Sequence, residues 1–296
     1  MRRTEEMPNA RLLRSSGDAP SVRSSAEPKA EPAMHGFTLI ELVVVMSIIG
    51  IIAGALTIFI RNPLQTYFDG AARAELGDQA DTALRRMARE IRNALPNSLR
   101  VAVSGSDMLV EFVPILTAGR YRAEVGTDPA DNPLDFSASA DSFDVLGPAV
   151  TVSAGDKLVI NNLGIAGADV YAGSNRRDLT VTGTLSQLAY TGGAFPFSSI
   201  SSRFYVVGEA VSYACDLASG TLWRYRYAIQ ASQPASVAAL NALASPQALA
   251  TGLAGCSVSY AAGIQQRNGL ITLHLQLQRA TARVSLMHQI NVVNTP

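Results

Sequence analysis

Between Phe37 and Ile60 the chain is almost wholly apolar, and the one carboxylate inside the run is Glu41. No charge follows it until Arg61. As a helix rising ~1.5 Å per residue, the run spans about 36 Å, enough to cross a bilayer core of about 30 Å. A secretory signal has a shorter apolar core with a small-residue cleavage site at its far end, and this segment shows none. Arg2, Arg3, Arg11, Arg14, Arg23 and Lys29 precede the run, whereas the twenty residues after it carry only Arg61 and Arg73. The positive-inside rule then keeps the N-terminus cytoplasmic and translocates the rest. Residues 1–33 are rich in Arg, Ser, Glu and Pro and have no apolar period, so they are expected to be a disordered leader.

An acid within a membrane helix costs about 2.5 to 3.5 kcal/mol at the centre and less near the interface, so it calls for a cation. The apolar run supplies none. A cut just before Phe37 would: the new α-amino group then offers a positive charge, on this chain or on a neighbour.

The stretch GFTLIELVVVMSIIGIIA resembles the class III signal of type IV pilins and type II secretion pseudopilins. Gly36, Phe37 and Glu41 stand at that motif's cleavage glycine, its N-methylated first mature residue and its fifth-position glutamate. The resemblance implies cleavage between Gly36 and Phe37 by a membrane prepilin peptidase, N-methylation of Phe37, and pairing of Glu41 with the N-terminal amine of an adjacent subunit. Methylation leaves the amine charged, so the pairing survives it. Farther along, RFYVVGEAVSYAC, LWRYRYAI, GLITLHLQLQ and VSLMHQINVVNTP resemble minor pilins of the mannose-sensitive haemagglutinin pilus, and more distantly a J-type pseudopilin. Other major and minor pilins, the peptidase, an inner-membrane assembly platform and the membrane itself are the implied partners. The chain departs from the common pattern in a long leader whose nearest basic residue to Gly36 is Lys29, and in having its first proline of the helical region at Pro63.

From Leu64 to Leu95, apolar or small residues recur at Leu64, Tyr67 or Phe68, Ala72, Leu76, Ala80, Leu84, Met87, Ile91 and Leu95. Steps of three and four define one helical stripe, opposed by Asp78, Asp81, Arg85, Arg89 and Arg92. An amphipathic helix is expected over 61–95, packed on a sheet, ending near Pro96 and kinked or unwound at Pro63. Gly50 and Gly54 have the spacing that permits close helix approach. Beyond Pro96, short alternating runs such as MLVEFVPIL and RFYVVGEAVSYAC, separated by Gly, Asn, Asp and Pro, read as strands. In ITLHLQLQ, Ile271, Leu273, Leu275 and Leu277 share one face, and His274 lies on the polar one. Residues 232–250 are Ala-rich and read as a short helix or an adaptable loop. The fold class is therefore α+β: a cleaved leader (1–36), an apolar membrane and assembly helix (37–60), its amphipathic half (61–95), and a pilin-like β-rich head of antiparallel sheet (96–296) in the periplasm.

Cys215 and Cys256 are the only cysteines, and there is no CxxC. In an oxidising compartment they would form one disulfide closing a loop of roughly 40 residues, worth about 3 to 4 kcal/mol; the alternative is two buried thiols. Three scattered histidines and two distant cysteines make no metal site. Asp128, Asp131, Asn132 and Asp135 in TDPADNPLD offer oxygen donors to calcium, but the EF-hand pattern is missing and two prolines suit a turn-rich loop. No GxSxG elbow and no base-paired nucleophile occurs, so neither an enzyme nor a cofactor is expected. Acidic and basic residues balance at 24 each, which excludes bulk attraction to nucleic acid. Trp223, Tyr225 and Tyr227 alternating with Arg224 and Arg226 could stack on single strands, yet alternation more simply gives a strand with one aromatic and one basic face. The arginines at 85, 86, 89 and 92 suit a solvated helix face or an anionic partner.

Overall fold

A computed structural model describes residues 36–263 and 268–296; residues 1–35 of the leader lie outside them. Helix α1 (Leu39–Arg92) is followed by β1 (Arg100–Ser104), β2 (Asp107–Phe112), β3 (Ile115–Tyr121), β4 (Ala140–Leu146) and β5 (Val150–Val152). Next come β6 (Lys157–Val159), β7 (Arg176–Leu179), β8 (Gly183–Leu185), β9 (Gln187–Thr191), β10 (Arg203–Val207), β11 (Ala210–Asp216) and β12 (Thr221–Tyr227). The short α2 (Val237–Asn241), β13 (Gln247–Thr251), β14 (Leu253–Ala261), β15 (Gly269–Arg279) and β16 (Ala282–Val292) complete the chain. The architecture is α+β, an N-terminal apolar helix followed by a strand-rich domain. Two compact units divide it, up to Phe59 and from Ile60 onward.

In the second unit, α1 lays Leu76, Ala80, Leu84, Met87 and Ile91 on two antiparallel sheets. One has the order β1-β2-β11-β12-β13 and the other β14-β15-β16. Inward side chains of β15, Ile271 to Leu277, are fully buried beneath it, while His274 on the far face meets Ser285 at 2.6 Å. The expected stripe is correct from Leu76 on but not at its start: Tyr67 and Phe68 are 70% and 63% exposed. α1 runs on through Pro63, since a proline forfeits one i→i−4 bond while its neighbours keep theirs. It ends at Arg92: the Leu95 amide donates to Val113 (2.7 Å) and the Ile115 amide to Asn93 (2.9 Å), so sheet partners replace the helical ones.

The antiparallel strands of the head form several sheets, including a closed barrel that the sequence reading did not contain. Its order is β10-β3-β4-β9-β7-β6, with β10 also pairing with β6 to close the ring. Phe143, Leu158, Leu188, Tyr190, Phe204 and Val206 fill the interior. Gly119 is required by this packing, since a Cβ there would meet the Phe204 ring at 2.7 Å. The barrel lies between two neighbouring strands of the larger sheet. β2 and β11 pair antiparallel as far as Phe112 and Val211, and the ladder resumes inside the barrel with Ile115 opposite Val207. Two residues, Val113 and Pro114, face three, Gly208, Glu209 and Ala210, across this junction. Such an unequal count bends a ladder, and Pro114 has no amide to continue it.

The second face of the five-stranded sheet packs Leu109, Ala214, Tyr225 and Tyr227 against Val159, Val170, Tyr171 and α2, so the Ala-rich stretch forms both a short helix and β13. Here Glu111 is fully buried and takes a two-pronged ion pair from Arg100, Nε to Oε2 at 2.8 Å and Nη2 to Oε1 at 3.1 Å. Arg100 also donates to the carbonyls of Gln230 and Ala231, and its guanidinium lies 3.5 Å over the Tyr171 ring. Burial pushes the Glu111 carboxyl above the usual glutamate range, with Arg100 pulling against it.

Cys215 of β11 and Cys256 of β14 are joined in a disulfide that ties the two sheets under α1, their Cα atoms 6.3 Å apart. The link closes 41 residues of sequence, a large loss of unfolded-state freedom. Replacing both cysteines by serine is expected to cost about 3 to 4 kcal/mol. Denaturant titration of the full chain in detergent checks this, and an unchanged midpoint would show that the link constrains nothing.

Candidate functional site

The first turn of α1 is built by Thr38. Its Oγ1 accepts the Glu41 amide at 3.3 Å and its carbonyl accepts the Leu42 amide at 3.2 Å, so it caps the helix. Thr38 and Glu41 have capping-box spacing, which would allow Glu41 to reach back to the Thr38 amide. That return bond is not made. Among the described residues the Glu41 carboxylate has no hydrogen bond and no ion pair, and it is solvent-exposed. Its place in the first turn is one that the helix dipole favours for an anion. The cap went unread in the sequence, although the spacing of Thr38 and Glu41 was the signal for it.

Around Glu41, the segment Leu39–Thr57 is long and apolar enough to cross a membrane, and none of it is buried within the protein. Phe37 is 81% exposed, and Leu39, Ile40, Met46 and Ile51 are likewise open. Its two hydroxyls are satisfied along the helix, Ser47 on Val43 and Thr57 on Ala53, each at 2.8 Å. Hydrocarbon offers no partner to such groups, so internal pairing fits a lipid-facing helix. Nothing lies within 4 Å of where a Cβ would stand at Gly50 or Gly54, so that face is open to another helix. The structure therefore brings Gly36, Phe37 and Glu41 together within the first turn and its approach.

The other sequence candidates serve the head. In the acidic loop Arg122 pairs with Asp131 (2.9 Å) and Asp144 (3.1 Å), Asp128 accepts the Ala130 amide, and Asp135 accepts from Ser137. The Asn132 amide, with Arg122, holds the Asp144 carboxyl below its usual range. These carboxylates are thus engaged by turn amides and an arginine. Tyr225 and Tyr227 are buried and Arg224 is drawn under α1 to Glu90 at 3.0 Å, so the aromatic face of β12 and Arg224 look into packing, while Arg226 stays exposed beside Glu209. Arg85 pairs with Asp81 and Arg86 with Glu90 along the helix.

Residues 33–57 match the family model for the prokaryotic N-terminal methylation motif. The chain carries the N-methylation motif of pilin-type precursors, the class that includes type IV pilins and pseudopilins. No curated protein and no solved structure matches the chain.

Proposed function

We propose that this chain is a minor pilin, cut between Gly36 and Phe37 by a prepilin peptidase, methylated on Phe37, and drawn from the inner membrane into the initiating or tip complex of a type IV pilus. The observation that carries this reading is the exposed Glu41 carboxylate, without a partner among the described residues, in the first turn of an unburied apolar helix inside the matched motif. Before assembly the N-terminus is cytoplasmic and the head periplasmic. The role is structural, not enzymatic. Helices of neighbouring major and minor pilins pack side by side at the assembly platform, and the head, with its pilin-like helix laid on antiparallel sheet, selects the neighbours. The C-terminal segments favour a mannose-sensitive haemagglutinin type of pilus and, within it, the O-type biogenesis component. A J-type pseudopilin shares the same N-terminal motif; recovery in sheared fibres, set against a secretion defect on deletion, separates the two.

The direct test is N-terminal mass spectrometry of the protein from membranes. The mature chain is expected to begin at Phe37 with a methylated amine. A chain that keeps its arginine-rich leader would leave a plain single-pass anchored protein.

A further inference from the structure

Where β10 gives way to β11, the head borders a cavity of about 430 Å³ for which the assembly reading has no use. This falls within the range of about 300 to 1,000 Å³ typical of small-molecule sites. Leu116 of β3 and Lys157 of β6 line it from the barrel, with Asp156 from the turn before β6 and Arg176 from β7. Glu209 from the junction and Arg226 of β12 complete the polar wall.

The charges on this wall are unequally spent. Lys157 is held by Asp178, and Arg226 by Glu209 at 3.2 Å. Arg176 is half-buried and donates to the Val170 carbonyl at 3.1 Å, but among the described residues it makes no ion pair. The acids near it are engaged elsewhere: Asp178 by Lys157, and Asp169 by the amides of Tyr171 (3.0 Å) and Ala172 (3.3 Å). Burial draws the Arg176 guanidinium below the usual arginine range, against the through-space pull of those two carboxylates. A guanidinium has five N–H donors in a planar fork, and a carboxylate matches that fork better than any other common anion of single charge. Asp156 accepts the Ser153 amide through Oδ2, leaving Oδ1 on the Gly208 side, and Glu209 is half-exposed. Both are acceptors for hydroxyl groups. With Lys157 and Arg226 each met by an acid, Arg176 is the cation of this wall that makes no ion pair among the described residues, so it suits one carboxylate, and a phosphate dianion would face Asp156, Glu209 and Asp178.

We propose that this pocket binds a sugar acid, its carboxylate on Arg176, its hydroxyls on Asp156 and Glu209, and its C–H face on Leu116. The site stands whether or not the chain enters a fibre, so its failure and that of the assembly reading are distinct.

Ligand-observed NMR on the full chain in detergent tests it with glucuronate, glucose, acetate and glucose 6-phosphate. Glucuronate is expected to bind better than the other three. Arg176→Gln should weaken it about tenfold or more, as expected for loss of a charge-assisted pair, with Arg176→Lys recovering part of the affinity. A glucuronate-containing oligosaccharide, compared with the monomer, tells a polymer residue from a free sugar acid. Glucuronate binding no better than glucose or acetate, a preference for the phosphate, or an unchanged affinity in Arg176→Gln would each overturn the assignment. Should Arg176→Gln fail to fold, Glu209→Gln decides: it should reduce the preference for glucuronate over acetate, and an unchanged preference also overturns it.

Discussion

Glu41→Ala is expected to yield a protein that is cut, methylated and held in the membrane at normal levels, yet missing from sheared fibres. Removing the acid makes the helix easier to keep in lipid, by up to about 2.5 to 3.5 kcal/mol for a central position and less near the interface. Membrane retention therefore does not suffer. What is lost is the one charge that can recognise a neighbour's amine in a low-dielectric setting, where an ion pair counts for far more than in water. The structure sharpens this expectation, because Thr38 already caps the first turn and the Glu41 carboxylate has no partner among the described residues. Glu41→Gln should behave like the alanine variant, since it keeps the shape and loses the charge. Quantitative blotting of sheared fibres and membranes reads both. Normal amounts of either variant in fibres would remove Glu41 from assembly.

The second large effect is on stability. Arg100→Met leaves Glu111 fully buried with its guanidinium gone, and stranding one partner of a buried pair costs about 3 to 5 kcal/mol. The sign of the pH dependence follows from burial. A carboxyl whose folded pKa is raised penalises the native state above that value, and the penalty fades as the pH falls toward the unfolded value. Without Arg100 the leading downward pulls on Glu111 disappear, only that of Tyr227 is left, and its pKa rises further. The deficit of the variant relative to the parent should thus be largest near neutral pH and shrink under mild acid. Denaturant titrations at several pH values on the full chain check this. The double variant Arg100→Met, Glu111→Leu should recover most of the loss, because replacing both members with apolar groups removes the stranded charge. A pH-independent deficit would mean that the cost is packing over Tyr171 rather than charge.

What the sequence disclosed follows from how strongly each feature is periodic. The apolar run and the strict alternation of Ile271 to Leu277 are one-dimensional signals, and each appears where expected. The barrel was not legible. β5, β6 and β8 are three residues each, and β7 has only the pattern Arg176–Leu179, too short for alternation to show. The run from Arg203 to Cys215 looked like one strand, because β10 and β11 are buried on both faces and nothing but Gly208 and Glu209 marks the change of sheet. MLVEFVPIL likewise divides at Val113 and Pro114. Tyr67 and Phe68 show the opposite failure: they fit the stripe, but neither is packed away beneath a sheet. Arg100 and Glu111 lie eleven residues apart on paired strands, a juxtaposition that only register creates.

The entire barrel, from Val113 to Glu209, occupies what would otherwise be the tip of an ordinary hairpin between β2 and β11. Its two ends leave from adjacent positions, so from the standpoint of the host it is a graft with a narrow stem. Exchange for a module of other size or shape at the same stem would have to restore the contacts that the present one makes with Asn93 through Ile115 and with Arg100 through Tyr171. The limit on such exchange is set by Tyr225, Tyr227 and Leu109, which any replacement would have to keep dry.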